Sequence, residues 1–110
     1  MTVQDSEIRD IQARYRHLVN YQETDPDAPI DPLTYVDSNG DHLIHIAARS
    51  GDLQTVRSVL DEGVDPNLLG DMGCTPLHYA RMEAKTDVAD LLLSRGASPN
   101  IKNLFGDFPS

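Results

Sequence analysis

Four side chains of this 110-residue chain have the chemistry to gather a zinc ion: His42 and His45, three apart, and Cys74 and His78, four apart. Residues at these spacings share one face of a helix. Three imidazoles and a thiolate would suit tetrahedral zinc, and a metal-dependent hydrolase is the activity such a set would serve. Just ahead, DSNGDH places oxygen donors at Asp37, Asn39 and Asp41, the first, third and fifth places of a calcium loop. Calcium fails on spacing, because that loop needs Gly at its sixth place and Glu at its twelfth. Here those places hold His42 and Ala48. Gly40 then supplies a turn geometry, and Asp41 is expected to cap the helix that follows. Cys74 as a nucleophile would need an activating His and a third group to orient it. The acids look like turn and helix-end residues, and no Gly-rich phosphate loop is present. The expectation is no catalytic residue, no metal and no cofactor.

The elements that carry these residues explain them better. Ser6 to Tyr21 reads as an amphipathic helix, with Ile8, Ile11, Tyr15, Leu18 and Val19 on one face. QETDPDAPIDP follows as a proline-rich acidic loop. Beyond Asp37 the chain recurs with an offset of 33. His45 falls on His78, Ala47 on Ala80, Leu60 on Leu93, Gly63 on Gly96, and Pro66-Asn67 on Pro99-Asn100. A further step carries Gly40 and Gly73 to Gly106. Each unit reads as turn, helix, turn, helix. Thr75 and Pro76 suit the N-cap and first position of a helix, and Gly63 and Gly96 suit the left-handed position after one. The recurrence gives both His45 and His78 a place without invoking a metal.

Thr75-Pro76-Leu77-His78 in GCTPLHYA, with the endings GVDPN and GASPN, resembles the ankyrin repeat over Asp37 to Ser110. The resemblance implies an all-α helix-turn-helix solenoid with an N-terminal capping helix and a short C-terminal partial repeat. The divisions would be 6–21 capping helix, 22–36 acidic loop, 37–69 and 70–102 full repeats, and 103–110 partial repeat. It implies structural roles for Gly40, His45, Gly63, Thr75, Pro76, His78 and Gly96. The chain departs from the family at HLIH, which lacks the proline, and at Ala84, where Gly is usual, so the turn between helices there is in question.

The family binds proteins through its turn tips and the concave face of its first helices. Its variable positions fall here on Ser38, Asn39, Asp41, Arg49 and Ser50, then on Asp71, Met72, Cys74, Met82 and Glu83, and finally on Leu104, Phe105 and Asp107. That row alternates acids with apolar groups, and Cys74 would be solvent-facing within it. Leu104 and Phe105 could otherwise simply seal the end of the stack. The acids Glu23, Asp25, Asp27, Asp31 and Asp37 would extend the acidic surface if their loop packs beside the turns.

Charge narrows the partner. Eighteen Asp and Glu against nine Lys and Arg give a net charge of −9. With no run of Lys or Arg, nucleic acid and anionic membranes are poor partners. A basic protein fits. The single Cys excludes an internal disulfide. The first twenty residues lack an apolar signal core, and no apolar stretch approaches the ~20 residues of a membrane span. The expectation is a cytoplasmic protein-binding module, monomeric or weakly dimeric. Small acidic ankyrin proteins look like the immunity proteins of bacterial toxin systems, which implies occlusion of a secreted toxin domain. An adaptor or scaffold fragment of a longer solenoid is the alternative.

Overall fold

The computed structural model describes residues 5–18 and 30–109. Within them lie α1 (Asp5–Arg14), α2 (Leu43–Ser50), α3 (Leu53–Asp61), α4 (Pro76–Met82) and α5 (Thr86–Ser94). The described residues hold no strand, only a single antiparallel bridge between Val36 and His42. Helix α1 is shorter than the periodicity predicts. The helix ends at Arg14 and the chain turns through Leu18, with Tyr15 buried in the core. The expected continuation from Val19 to Tyr21, and the loop acids Glu23, Asp25 and Asp27, lie outside the described residues.

The two helix pairs form for local reasons. Thr75 caps α4, its hydroxyl accepting the His78 N–H at 3.3 Å, and Pro76 opens the helix where its missing N–H costs nothing. Asp52 caps α3 by accepting the Thr55 N–H at 3.2 Å. His42 stands at the N-cap of α2, so the capping role expected of Asp41 is not its own.

Packing then joins the pairs. α2 lies on both α3 and α4, and α5 lies on α3 and α4. Ala47, Ala48 and Ala80 are fully buried and let the first helices approach closely. Leu43 and Ile44 of α2, Val56 and Val59 of α3, Leu77 of α4, and Val88 and Leu92 of α5 fill the space between. Each such side chain contributes roughly 1.5–3 kcal/mol by leaving water. Ile11, Tyr15, Ile30 and Tyr35 close the N-terminal end of the same core.

The turns between paired helices occupy equivalent places. Gly51 has φ 79° and Ala84, 33 residues on, has φ 55°, so alanine takes the left-handed conformation all the same. It is held there by Lys85 N–H bonding to Ala80 O at 2.7 Å, matching Asp52 N–H to Ala47 O at 2.9 Å. An L residue with a Cβ is strained at that φ. Ala84→Gly is therefore expected to stabilise the fold by about 0.5–1 kcal/mol, read as a higher urea midpoint. An unchanged or lower midpoint would contradict it.

Candidate protein-binding surface

Three turns project along one edge of the stack, each closed by the same bond. Asp37 N–H reaches Asp41 O at 2.9 Å, Gly70 N–H reaches Cys74 O at 2.8 Å, and Asn103 N–H reaches Asp107 O at 3.0 Å. In the outer two turns the first side chain braces the loop. Asp37 Oδ1 accepts from the N–H groups of Asn39 and Asp41, both at 2.9 Å. Asn103 Oδ1 accepts from Phe105 at 2.9 Å and Asp107 at 3.0 Å.

The middle turn begins with Gly70 and has no side chain to do this. The Asp41 carboxylate enters from the neighbouring turn instead. It accepts the Asp71 N–H at 2.8 Å and the Tyr79 hydroxyl at 2.9 Å. A Cβ on Gly70 would collide with Asp41 Oδ1 and stand 3.0 Å from the His45 ring. The middle turn is wound differently, as a single turn of 3-10 helix at Asp71–Gly73 with Met72 at φ 56°. Burial, then the bond to Asp41, pushes the Tyr79 hydroxyl well above its ordinary pKa. Arg49 lies over the Tyr79 ring, 5.6 Å from its centre.

This arrangement corrects two expectations. Asp41, expected on the outer row, is only 4% exposed, because its carboxylate replaces the missing brace at Gly70. Cys74, expected to face solvent, is 6% exposed, with Asn103 Nδ2 at 3.7 Å from its sulfur. Burial pushes the thiol above its ordinary pKa, which disfavours the thiolate that nucleophilic chemistry requires. The remaining row residues are accessible. Asn39, Arg49, Met72, Met82, Glu83, Leu104, Phe105 and Asp107 are exposed, and Asp71 is half-buried.

Both imidazoles of the repeat are committed to the backbone. His45 Nδ1 accepts the His42 N–H at 3.0 Å, which leaves Nε2 to donate to Leu68 O at 2.7 Å. His78 Nδ1 takes the Thr75 N–H at 2.9 Å, and its Nε2 donates to Asp107 O at 2.9 Å. Each ring thereby ties a first helix to a turn-bearing segment further along the chain. Among the described residues no group of three or more His, Cys, Asp and Glu is gathered to hold a metal.

Burial lowers the His45 pKa below its ordinary value of 6.5, outweighing the Leu68 bond and the Asp41 charge that act the other way. Below about pH 6.5 the unfolded chain therefore binds a proton that the folded chain resists. This stability is complete above that pH and is lost as the pH falls. Urea midpoints at about pH 5 and pH 7.5 should differ less in His45→Gln than in the parent, once the variant's overall loss is subtracted. Equal pH slopes in the two proteins would refute the assignment to His45.

Several openings flank the stack among the described residues, and two of them are lined by large apolar side chains. One, of about 310 Å³, lies between α1, residues 30–33 and α3, lined by Ile8, Ile11, Ile30 and Leu33 among others. The other, of about 410 Å³, runs between α4 and the segment 103–109. Met82, Phe108 and Pro109 wall it, with His78, Asn103, Gly106 and Asp107. Sequence reading missed this groove, although Phe108-Pro109 stands 33 residues after Thr75-Pro76. It also missed Gly70 and Asp52. The signal for Gly70 was a glycine in a column otherwise occupied by Asp37 and Asn103.

Comparison with known proteins agrees with this architecture. A family model described as ankyrin repeats, in three copies, matches residues 13–103. The human protein phosphatase 1 regulatory subunit 27 is 35% identical over 78 residues, covering 71% of this chain and 51% of that protein. The mouse 2-5A-dependent ribonuclease is 39% identical over 64 residues, covering 57% of this chain and 9% of that enzyme. The Schizosaccharomyces pombe ankyrin repeat-containing protein P1E11.10 is 36% identical over 66 residues, covering 60% of this chain and 32% of that protein. The chain thus spans about half or less of the length of these relatives. Ankyrin repeats are typically non-enzymatic protein-interaction modules, and no helix among the described residues is long and apolar enough to cross a membrane. Repeating turns, paired helices and the matched family model lead to one conclusion: the chain belongs to the ankyrin repeat family.

Proposed function

We propose that this chain is a non-enzymatic, cytoplasmic binding module whose row of turns and first helices captures a basic protein, in the manner of an immunity protein that occludes a toxin domain. The observation that carries the reading is the composition of the accessible row. Acids at Asp71, Glu83 and Asp107 alternate with apolar groups at Met72, Met82, Leu104 and Phe105, on a chain of net charge −9. Acids of this kind steer a basic partner, and Met and Phe are enriched in interface cores. Asn39 and Arg49 complete the contact set, whereas buried Asp41 and Cys74 support the surface from beneath. Gly40, His45, Gly63, Thr75, Pro76, His78 and Gly96 are assigned the framework. The division into a capping segment 6–21 that begins with α1, a linking segment 22–36, repeats 37–69 and 70–102 and partial repeat 103–110 is part of the same proposal. The recurring turns at 37–41, 70–74 and 103–107 support it.

A second reading, an adaptor or scaffold segment of a longer solenoid, is favoured by the relatives' greater length. One relative is named as a regulatory subunit of a phosphatase, which supports binding as the mode of action under either reading.

The test is affinity capture from native lysate with the chain as bait, washed at low and at high salt. One basic protein should be held. Asp71→Lys with Glu83→Lys should weaken it on the order of tenfold, with the larger effect at low salt. Capture of an acidic or neutral partner, indifferent to the charge reversals, would end the basic-target reading. Release of no specific protein at either salt would end the capture reading itself.

A further inference from the structure

Most of the large exposed apolar side chains among the described residues fall on α4 and on the segments 70–74 and 103–109. Seven large apolar side chains are exposed among the described residues, and five are Met72, Leu104 and Phe105 of the last two turns, Met82 of α4, and Phe108 just after the last turn. Leu104 is tied to the middle turn, its N–H donating to Met72 O at 2.9 Å. Met82 and Phe108 both line the 410 Å³ groove, whose size lies within the roughly 300–1,000 Å³ of clefts that hold ligand groups. Isolated exposed apolar residues need no explanation, but a contiguous set does.

The surrounding charge selects the occupant. Asp107 lines the groove, Glu83 follows Met82 in the chain, and Asp71 precedes Met72. Of the cations near these residues, Lys102 is stacked on the Phe108 ring at 5.2 Å, and Arg81 lines a separate opening with Ala84 and Lys85. A second copy of this chain would bring another net charge of −9 to the same surface and is disfavoured.

We propose that this surface is a docking site for a segment of a partner protein in which a large apolar side chain stands next to Lys or Arg. The apolar side chain fills the groove lined by Met82 and Phe108, and the cation meets the carboxylates of Asp107 and Glu83. This rests on the protein-binding reading and names the part of the surface that holds the partner. Met72 and Leu104 form the ledge beside the groove. Met72 sits at a positive φ uncommon for a bulky residue, with Asp41 holding the Asp71 N–H on one side and Leu104 holding the Met72 carbonyl on the other. The turn thereby fixes the backbone that presents the exposed Met72 side chain.

The test uses a random peptide library displayed on phage, selected against the full chain. Selected peptides would then be synthesised and titrated by fluorescence anisotropy. They should carry Leu, Met or an aromatic residue beside Lys or Arg. The paired variant Met82→Glu, Phe108→Ala should weaken them by roughly tenfold or more, as removal of a central apolar anchor does. Leu33→Asp, at the other opening, should leave them unchanged. Circular dichroism would confirm that all variants fold. Selected peptides that bind the groove variant as tightly as the parent would overturn the site while leaving the capture reading intact. Uncharged or acidic winners would overturn the stated chemistry. No enrichment together with an empty affinity capture would remove both.

Discussion

Gly70→Ala is expected to destabilise the fold by about 2–3 kcal/mol, although alanine is otherwise the mildest replacement for a glycine. Gly70 has φ −110°, so the loss does not come from a forbidden backbone. It comes from space: the new Cβ would collide with Asp41 Oδ1 and press on the His45 ring. Asp41→Ala should cost a similar amount for the converse reason. It leaves the Asp71 N–H and the buried Tyr79 hydroxyl without their acceptor, and bonds to a carboxylate are among the stronger ones. The informative protein is Gly70→Asn combined with Asp41→Ala. An asparagine there could brace its own turn as Asn103 does, and the removed carboxylate makes room for it. The double variant should be more stable than the sum of the two single losses predicts, by about 1 kcal/mol or more. It should not reach the parent, since Tyr79 still lacks an acceptor. Urea unfolding of the parent, Gly70→Asn, Asp41→Ala and the double variant gives the cycle, the two single losses being those of Gly70→Asn and Asp41→Ala. Strict additivity would show that Asp41 and Gly70 do not compete for one space.

The same pair marks where sequence reading stopped. The helix pairs were legible because their signals are local: the 33-residue offset, the 3.6-residue periodicity and the Thr75-Pro76 opening of α4 all lie within a few turns of chain. The column Asp37, Gly70, Asn103 is visible in the sequence as well. Its meaning is not, because the group that compensates for Gly70 comes from the preceding repeat, 29 residues away from it in the chain. Asp41 therefore read as one more outward acid. Cys74 was misplaced for a related reason, since the turn that covers its sulfur with Asn103 belongs to the next unit. The apolar row at Met72, Leu104 and Phe105 could be seen in advance, because side chains at turn tips have few places to hide. The groove beside it could not, because it exists only where the segment 103–109 folds back along α4.

Asp52→Ala is expected to cost about 2–3 kcal/mol and to loosen α1 more than the rest of the stack. Asp52 does two tasks at once. It caps α3 through Thr55, accepting the N–H at 3.2 Å and the hydroxyl at 2.6 Å, and loss of such a cap alone costs about 1 kcal/mol. Oδ2, which accepts the Thr55 hydroxyl, also accepts the Tyr15 hydroxyl at 2.8 Å, and this bond ties the end of α1 to the first repeat. Arg14 adds an ion pair at 3.4 Å, but its side chain is 38% exposed and it should contribute little. Asp52→Asn keeps an acceptor for the cap and should lose only about half as much. Burial, and then the bond to Asp52, pushes the Tyr15 pKa from 10.0 up to about 12. The folded chain therefore holds this proton more tightly than the unfolded chain. The stability this provides is present below pH 10 and is lost as the pH rises through about 12. Tyrosinate absorbance followed with pH should show late-titrating tyrosines, Tyr15 and Tyr79 among them, whose ionisation coincides with unfolding, at a lower pH in Asp52→Ala than in the parent. Hydrogen exchange decides between this coupling and simple burial. If α1 amides in Asp52→Ala stay as protected relative to α3 as in the parent, then Ile11 and the buried Tyr15 ring hold the capping helix by themselves, and the Asp52 bond is dispensable.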